Sequence, residues 1–264
     1  MKKIIVSGAR GKMGEEVVKL VDRTDNFDLV GAVDVADVGE NINELLGLKG
    51  AEVLIESELE KSIAANNPDV IVDFTTPGIV MENIKTAIDK GVNIVVGTTG
   101  ITEADLENIK KLNQTANSKI IIAPNFAIGA ILMMQFAKKA AKFMNDVEIM
   151  ELHHDGKIDA PSGTAIKTAE LIKKNLENKD DKVEEIEKIP GARGASLDGI
   201  NIHSIRLPGL VAHQEVIFGG LGQTFKLRHD SINRESFMPG VKLAIEKLDE
   251  IEGVVYGLDN LIEI

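Results

Sequence analysis

The chain has no cysteine among its 264 residues. Disulfides, thiolate catalysis and Cys-ligated zinc or iron–sulfur clusters are therefore excluded. Tryptophan is also absent, and aromatics make up only 3% of the residues, too few for base-stacking platforms. There is no excess of positive charge: the formal net charge is −12, with no long basic run. Nucleic acids and anionic membrane surfaces thus meet no bulk attraction. A small anionic substrate would need a local cationic pocket. No run approaches the roughly 20 apolar residues of a membrane span. The opening MKKIIVSGARG has too short an apolar stretch for a signal peptide. The expectation is a cytoplasmic protein with no nucleic-acid or membrane partner.

What is present is enough apolar material, 44%, for one large domain or two smaller ones. The first half alternates. KKIIVSG reads as a strand, GKMGEEVVKLVDR as a helix with Met13, Val17, Val18 and Val21 on one face, and FDLVGAVDV as a strand. PDVIVDFTTP, VNIVVGTTG and KIIIAPNF are further strands with helices between them. This pattern indicates a parallel sheet covered on both faces. After a long helix, IGAILMMQFAKKAAKFM, the pattern changes. GINIHSIRL, AHQEVIFGG and QTFKLRHDS suggest antiparallel strands, IPGARGA a loop, and PGVKLAIEKLDEI a last helix. An α/β half therefore precedes an α+β half. The charged stretch around Lys179–Lys188 reads as solvated surface.

Gly8, Gly11 and Gly14 stand between the first strand and the first helix, and Asp34 ends the second strand 20 residues beyond Gly14. Glycines in such a turn let backbone N–H groups approach a pyrophosphate, and the helix N-terminus favours the anion. Asp34 would accept hydrogen bonds from ribose hydroxyls. A ligand-free tight turn would use the same glycines. The residue after Asp34 is Val35 rather than a base, which favours NADH slightly over NADPH, although Arg10 and Lys12 could reach a 2′-phosphate. The GTTG and APNF loops end two later strands, where open α/β sheets bind ligands. Asn125 could position a nicotinamide there, or the loops could be ordinary turns.

The densest chemistry lies in ELHHDGKIDAPSGTA, residues 151–165. Ser162 is a candidate helix cap, leaving the amides of Gly163 and Thr164 to meet a carboxylate. Lys157 offers a cation or a proton. His153 or His154 can donate a proton near neutral pH. A bare His-His pair also occurs as a structural or surface feature. A metal site is disfavoured, since the two imidazoles would alternate faces of a strand and no third ligand is evident. His203, His213 and His229 read as structural or surface residues because nothing in the sequence gives them a partner. Arg206 and Arg234 could contact carboxylates but read rather as surface ion pairs.

This segment closely resembles the signature of the 4-hydroxy-tetrahydrodipicolinate reductases, also called dihydrodipicolinate reductases. GARGKMG, DFTTP, VVGTTG and APNFAIG resemble further family segments in family order. The resemblance implies NAD(P)H-dependent reduction of a cyclic dicarboxylate in the diaminopimelate route to lysine. It implies His153 and Lys157 as the catalytic pair and His154, Gly163 and Thr164 as substrate-binding residues, with no metal. It places the cofactor on Gly8, Ala9, Arg10, Gly11, Lys12, Met13, Asp34, Gly97, Thr98, Thr99, Ala123, Pro124, Asn125 and Phe126. It implies a Rossmann-type parallel sheet domain, residues 1–126 and 236–264. Residues 127–235 would form a smaller α+β substrate and oligomerisation domain with an open mixed sheet, assembling a homotetramer. Val35 departs from those family members that carry Arg after the acidic residue, which puts dual NADH/NADPH use in question. Two alternatives remain. One is an amino-acid or sugar dehydrogenase of the same plan, which would need a different substrate motif. The other is a non-catalytic NAD(H)-binding sensor, against which the compact His/Lys signature argues.

Overall fold

The β-branched runs of the first half form strands buried on both faces. The computed structural model describes residues 1–116, 118–176 and 186–263. It begins with β1 (Lys2–Ser7), α1 (Lys12–Asp22), β2 (Phe27–Val33), α2 (Ile42–Leu45), β3 (Ile55–Glu56) and α3 (Leu59–Asn66). Next come β4 (Val70–Asp73), α4 (Val80–Asp89), β5 (Asn93–Val96), α5 (Glu103–Leu112) and β6 (Ile120–Ile122). The second half holds α6 (Ile128–Ala140), β7 (Asp146–His153), α7 (Gly163–Lys173), β8 (Ala195–Leu197), β9 (Ile200–Arg206), β10 (Ala212–Gly220) and β11 (Gln223–Ser231). The chain closes with α8 (Met238–Lys247) and β12 (Val254–Tyr256). Two units result: Met1–Phe126 together with Phe237–Glu263, and Ala127–Ser236. Part of the charged stretch expected at the surface, residues 179–185, lies outside the described residues.

The first unit is built on a seven-stranded sheet in the order β12-β6-β5-β4-β1-β2-β3, with parallel pairing throughout. All residues of β4 and β6 are buried, as a sheet covered on both faces requires. Val80, Ile84, Ala87 and Ile88 give α4 its buried stripe. Thr102 and Asp105 close a capping box that starts α5. Sequence order reverses between β1 and β4, which is the switch point where open α/β sheets bind ligands. The chain end contributes α8 and also β12, which pairs with β6 (Val254↔Ile120). This three-residue strand is too short to show a periodic pattern in the sequence.

The second unit carries a five-stranded sheet in the order β11-β10-β7-β9-β8. The expected antiparallel set needs one correction. β9 pairs parallel with β7, from Glu148↔Asn201 to His153↔Arg206. Because α7 lies between these strands in the chain, the connection is a β-α-β crossover, which is how parallel neighbours are joined. The expected loop IPGARGA meets β8 only at its last residue, Ala195, and β8 pairs antiparallel with β9. Gln214 donates from Nε2 to Thr168 Oγ1 of α7 at 2.8 Å. His229, opposite Gln214 in the register, packs against Gly129 of α6. Both helices therefore cover the face that carries Gln214. By the two-residue alternation of strands, the other face presents the half-buried Met150, Leu152, Ile205 and Ile217. The AILMMQF run is core: Ala130, Ile131, Met133 and Met134 are buried. Among the described residues no helix is long and apolar enough to cross a membrane.

Candidate active site

At the switch point, the first turn is shaped by contacts that exclude side chains. Gly8 has φ +80°, and a Cβ there would overlap the Phe74 carbonyl just after β4. A Cβ on Gly14 would overlap the Gly8 carbonyl. The amides of Gly8 and Ala9 donate to Val33 O at 2.9 and 3.1 Å, tying the turn to β2. No side chain caps α1 at Gly11, so its first amides are left for an external acceptor. Asp34 follows β2 directly and is fixed by two amides, Arg10 N to Oδ2 at 2.8 Å and Ala36 N to Oδ1 at 3.0 Å. The Arg10 guanidinium is already engaged, with Asp37 at 2.6 Å and Glu15 at 2.6 Å. The Asp37 hydrogen bond raises its pKa further above the ordinary value.

Gly8, Ala9, Arg10, Gly11, Lys12 and Met13 thus occupy the turn and the first turn of α1. Gly97, Thr98 and Thr99 follow β5, and Ala123, Pro124, Asn125 and Phe126 follow β6. All stand, with Asp34, at carboxyl ends of parallel strands. Phe126 is buried and packs on Phe74 with ring centroids 5.7 Å apart.

One residue beneath these loops was missed by sequence reasoning. Asp73, fully buried at the end of β4, accepts from four donors: Thr75 N (3.2 Å), Thr75 Oγ1 (2.9 Å), Asn83 Nδ2 (2.7 Å) and Thr98 Oγ1 (2.7 Å). It ties the loop after β4 to the loop after β5. The signal was available: an Asp at the end of an all-apolar strand needs buried partners. Asp73→Ala is expected to cost about 3 kcal/mol of stability, because buried donors lose their acceptor, and to weaken dinucleotide binding. Urea unfolding and NADH fluorescence titration check the two effects.

In the second unit, β7 ends in Glu151-Leu152-His153, and the alternation puts Glu151 and His153 on one face. His153 Nδ1 lies 2.6 Å from Glu151 Oε2. Glu151 is fully buried and meets Arg206 of β9 in a fork, Nη1 to Oε2 at 2.8 Å and Nη2 to Oε1 at 2.7 Å. Ser162 N adds a bond to Oε1 at 3.2 Å, and the Ser204 hydroxyl another. Burial alone would raise the Glu151 pKa, but the bonds from Arg206, Ser204 and His153 outweigh it and hold the carboxyl below its ordinary range. Arg206 is therefore no surface ion pair, because the cross-strand register brings it beside a buried carboxylate. His203 and His213 also find partners, Glu148 Oε2 at 2.8 Å and Asp230 Oδ1 at 2.7 Å. Those partners lie on neighbouring strands, beyond the reach of local sequence.

His154 is exposed, and its carbonyl accepts from Lys157 N at 3.1 Å, closing a turn. Lys157 Nζ rests on Asp159 at 2.7 and 2.8 Å. The Lys157 and Arg206 charges both reach His153. Ser162 caps α7 by accepting from Ala165 N at 3.2 Å. Gly163 and Thr164 are the first two residues of that helix, and their amides have no carbonyl four residues back inside it to bind. No heavy atom stands within 4 Å of where a Gly163 Cβ would be. The segment gathers His153, Lys157 and an open helix N-terminus. His154 lies just beyond the end of β7.

Models of the dihydrodipicolinate reductase N-terminus and C-terminus match residues 2–126 and 129–262. The chain belongs to the dihydrodipicolinate reductase family. It is 53% identical over 264 residues to the 4-hydroxy-tetrahydrodipicolinate reductase of Halalkalibacterium halodurans, covering 100% of both chains. A dipicolinate-bound dihydrodipicolinate reductase from Paenisporosarcina sp. TG-14 superposes with TM-score 0.89 at 47% identity, over 99% of this chain and 100% of that one. An amine dehydrogenase from Mycobacterium smegmatis reaches TM-score 0.70 at 14% identity, covering 99% of this chain and 96% of that one. That is a likeness of fold alone. The family's two-part plan, a Rossmann-like parallel sheet and a mixed sheet, is the plan found here.

Proposed function

We propose that this chain reduces 4-hydroxy-tetrahydrodipicolinate to tetrahydrodipicolinate with a reduced nicotinamide dinucleotide. The observation that carries this reading is the clustering of an imidazole, an ammonium and an uncapped pair of helix amides in residues 153–164. That equipment suits a dianionic ring that must also be protonated. The dinucleotide fits the first unit: the close Gly8–Gly14 contact, which no Cβ could allow, draws the start of α1 onto the end of β1, and the first amides of that helix have no side-chain cap. The turn Gly8–Met13 would hold the phosphates, Asp34 the ribose, and the loops Gly97–Thr99 and Ala123–Phe126 the nicotinamide. When bound, the cofactor supplies a hydride.

The reaction adds one hydride and one proton to the substrate and releases its hydroxyl as water. The chain's part is to hold the ring and manage the proton. The amides of Gly163 and Thr164, with Lys157, anchor one carboxylate, and His154 lines the approach. Asp159 must give up Lys157 as substrate arrives. His153, protonated at Nε2, or Lys157, at Nζ, gives the proton that an enamine-like product requires.

The preferred dinucleotide is NADH. Asp34 would repel a 2′-phosphate, and the Arg10 cation is held by Asp37 and Glu15. The expected kcat/KM is higher with NADH than with NADPH. Asp34→Asn is expected to shift the ratio towards NADPH by about tenfold, the effect of removing one partly screened like charge. A coupled assay that generates the substrate in situ, run with each nicotinamide, tests both claims. Absence of substrate-dependent dinucleotide oxidation would overturn the assignment. The family resemblance extends to a cytoplasmic homotetramer, and the half-buried apolar face of the mixed sheet supports assembly through that face.

A further inference from the structure

Glu151 is a buried carboxylate bonded from three elements, yet it has no place in the proton transfer itself. An ionised carboxylate has two oxygens, about four lone-pair positions, and no proton to give. Oε1 accepts from Arg206 Nη2 and Ser162 N, and Oε2 from Arg206 Nη1. The Ser204 hydroxyl also bonds this carboxylate, and His153 Nδ1 lies 2.6 Å from Oε2. A carboxylate can only accept there, so Nδ1 must carry hydrogen. The nitrogen left to take up and release a proton is Nε2.

We propose that Glu151 is a positioning residue that fixes His153 in its Nδ1–H tautomer and so makes Nε2 the nitrogen that exchanges protons. Arg206 is its counterpart, drawing on the same carboxylate and limiting how strongly Glu151 holds a proton on the imidazole. The device ties three elements together. Glu151 and His153 are on β7, Arg206 on β9, and Ser162 caps α7. One buried carboxylate therefore orients both the imidazole and the helix end that would meet the substrate. The catalytic consequence rests on the reading of His153 as proton donor; the tautomer does not.

The charged groups acting on His153 are Glu151, Lys157 and Arg206. Burial lowers its pKa most, Glu151 raises it, and Lys157 and Arg206 lower it. The two partners therefore oppose each other, and their removal has opposite signs. In Glu151→Gln, the amide oxygen is drawn to the Oε1 position, where two donors converge. Its NH2 then faces His153 and donates to Nδ1, which selects the Nε2–H tautomer, the wrong one for transfer at Nε2. The imidazolium also loses its counter-charge. In Arg206→Gln, the carboxylate stays, the Nδ1–H tautomer stays, and the His153 pKa moves up because a positive charge is lost. General damage to the fold would not move the two variants in opposite directions.

The test is 15N-resolved NMR of the imidazoles in the full chain, with the His153 signals assigned by their loss in His153→Gln. The expected result is an Nδ1–H neutral form in the unmodified protein. Glu151→Gln should show the Nε2–H form with a lowered titration midpoint, and Arg206→Gln a raised midpoint. Unchanged His153 signals and titration in Glu151→Gln would overturn the proposal, and so would a shift of the same sign in both variants. If Glu151→Gln fails to fold, the unmodified protein still decides: a neutral His153 in the Nε2–H form would overturn the proposal. Steady-state kinetics separate the two readings. Glu151→Gln should lose at least roughly tenfold in kcat, part of the about 10²–10⁴-fold that a positioned general acid supplies, with KM for NADH unchanged. Normal kcat alongside a switched tautomer would support the positioning of His153 and remove its catalytic assignment.

Discussion

Alanine at Lys157 or at His153 is expected to lower kcat by about 10²–10⁴-fold and to leave NADH affinity unchanged. The expectation of intact cofactor binding follows from the fold. The glycine turn, Asp34 and the loops after β5 and β6 belong to a unit that contains neither residue. With Lys157 proposed as a carboxylate anchor, its loss should also raise the substrate KM, whereas loss of His153 should fall mainly on kcat. Stopped-flow reduction with NADH binding measured separately by fluorescence resolves the two. Normal kcat in either variant would remove that residue from its role. The pH profile has a defined sign. Burial holds the His153 pKa below its ordinary value, so the protonated donor is depleted as pH rises through a midpoint on the acid side of a free imidazole. The alkaline fall of kcat/KM should therefore begin early. Stability runs the other way. The depressed pKa values of His153 and Glu151 contribute stability that is present above their ordinary values and lost as pH falls through the folded ones. The protein should thus tolerate mild alkali better than acid, while activity declines on the alkaline side.

The order of strands and helices in the first unit was legible because each strand is an unbroken apolar run and each helix has a buried stripe. The pairing partners in the second unit were not. That β9 lies beside β7, and in parallel, depends on where α7 returns the chain, which no local pattern encodes. The same gap explains Arg206. From sequence it is one more arginine at the end of an alternating run. Its meaning comes from a cross-strand register that sets it opposite His153 and next to Glu151. Glu151 itself was half visible, two residues before His153 and so on its face. Reading it as a partner required knowing that this face is buried. His203 and His213 repeat the lesson, since their carboxylates come from other strands. Residues that act through the local chain, such as the Ser162 cap and the Gly8–Gly14 turn, were read directly. Residues that act through the sheet waited for the fold.

Two glycine replacements should have large effects that differ in kind. Gly14→Ala puts a Cβ onto the Gly8 carbonyl oxygen, which is backbone and cannot rotate aside. The start of α1 must lift away from the end of β1. Overpacking of this kind costs about 1–3 kcal/mol. It also moves the amides that would meet a pyrophosphate, so NADH binding should be lost. Gly163→Ala meets no heavy atom within 4 Å, and alanine is the better helix former by up to about 1 kcal/mol. Stability should be unchanged or slightly higher. Because helical Cα–Cβ bonds tilt toward the N-terminus, the new methyl group is expected to crowd the first amides of α7, where a substrate carboxylate would approach, so the substrate KM should rise while NADH affinity stays normal. Urea unfolding, NADH titration and substrate saturation measured on both variants give the contrast. Normal NADH affinity in Gly14→Ala would refute the pyrophosphate turn. An unaltered substrate KM in Gly163→Ala would mean that the α7 N-terminus does not hold the carboxylate, and Lys157 would then have to anchor it without the helix.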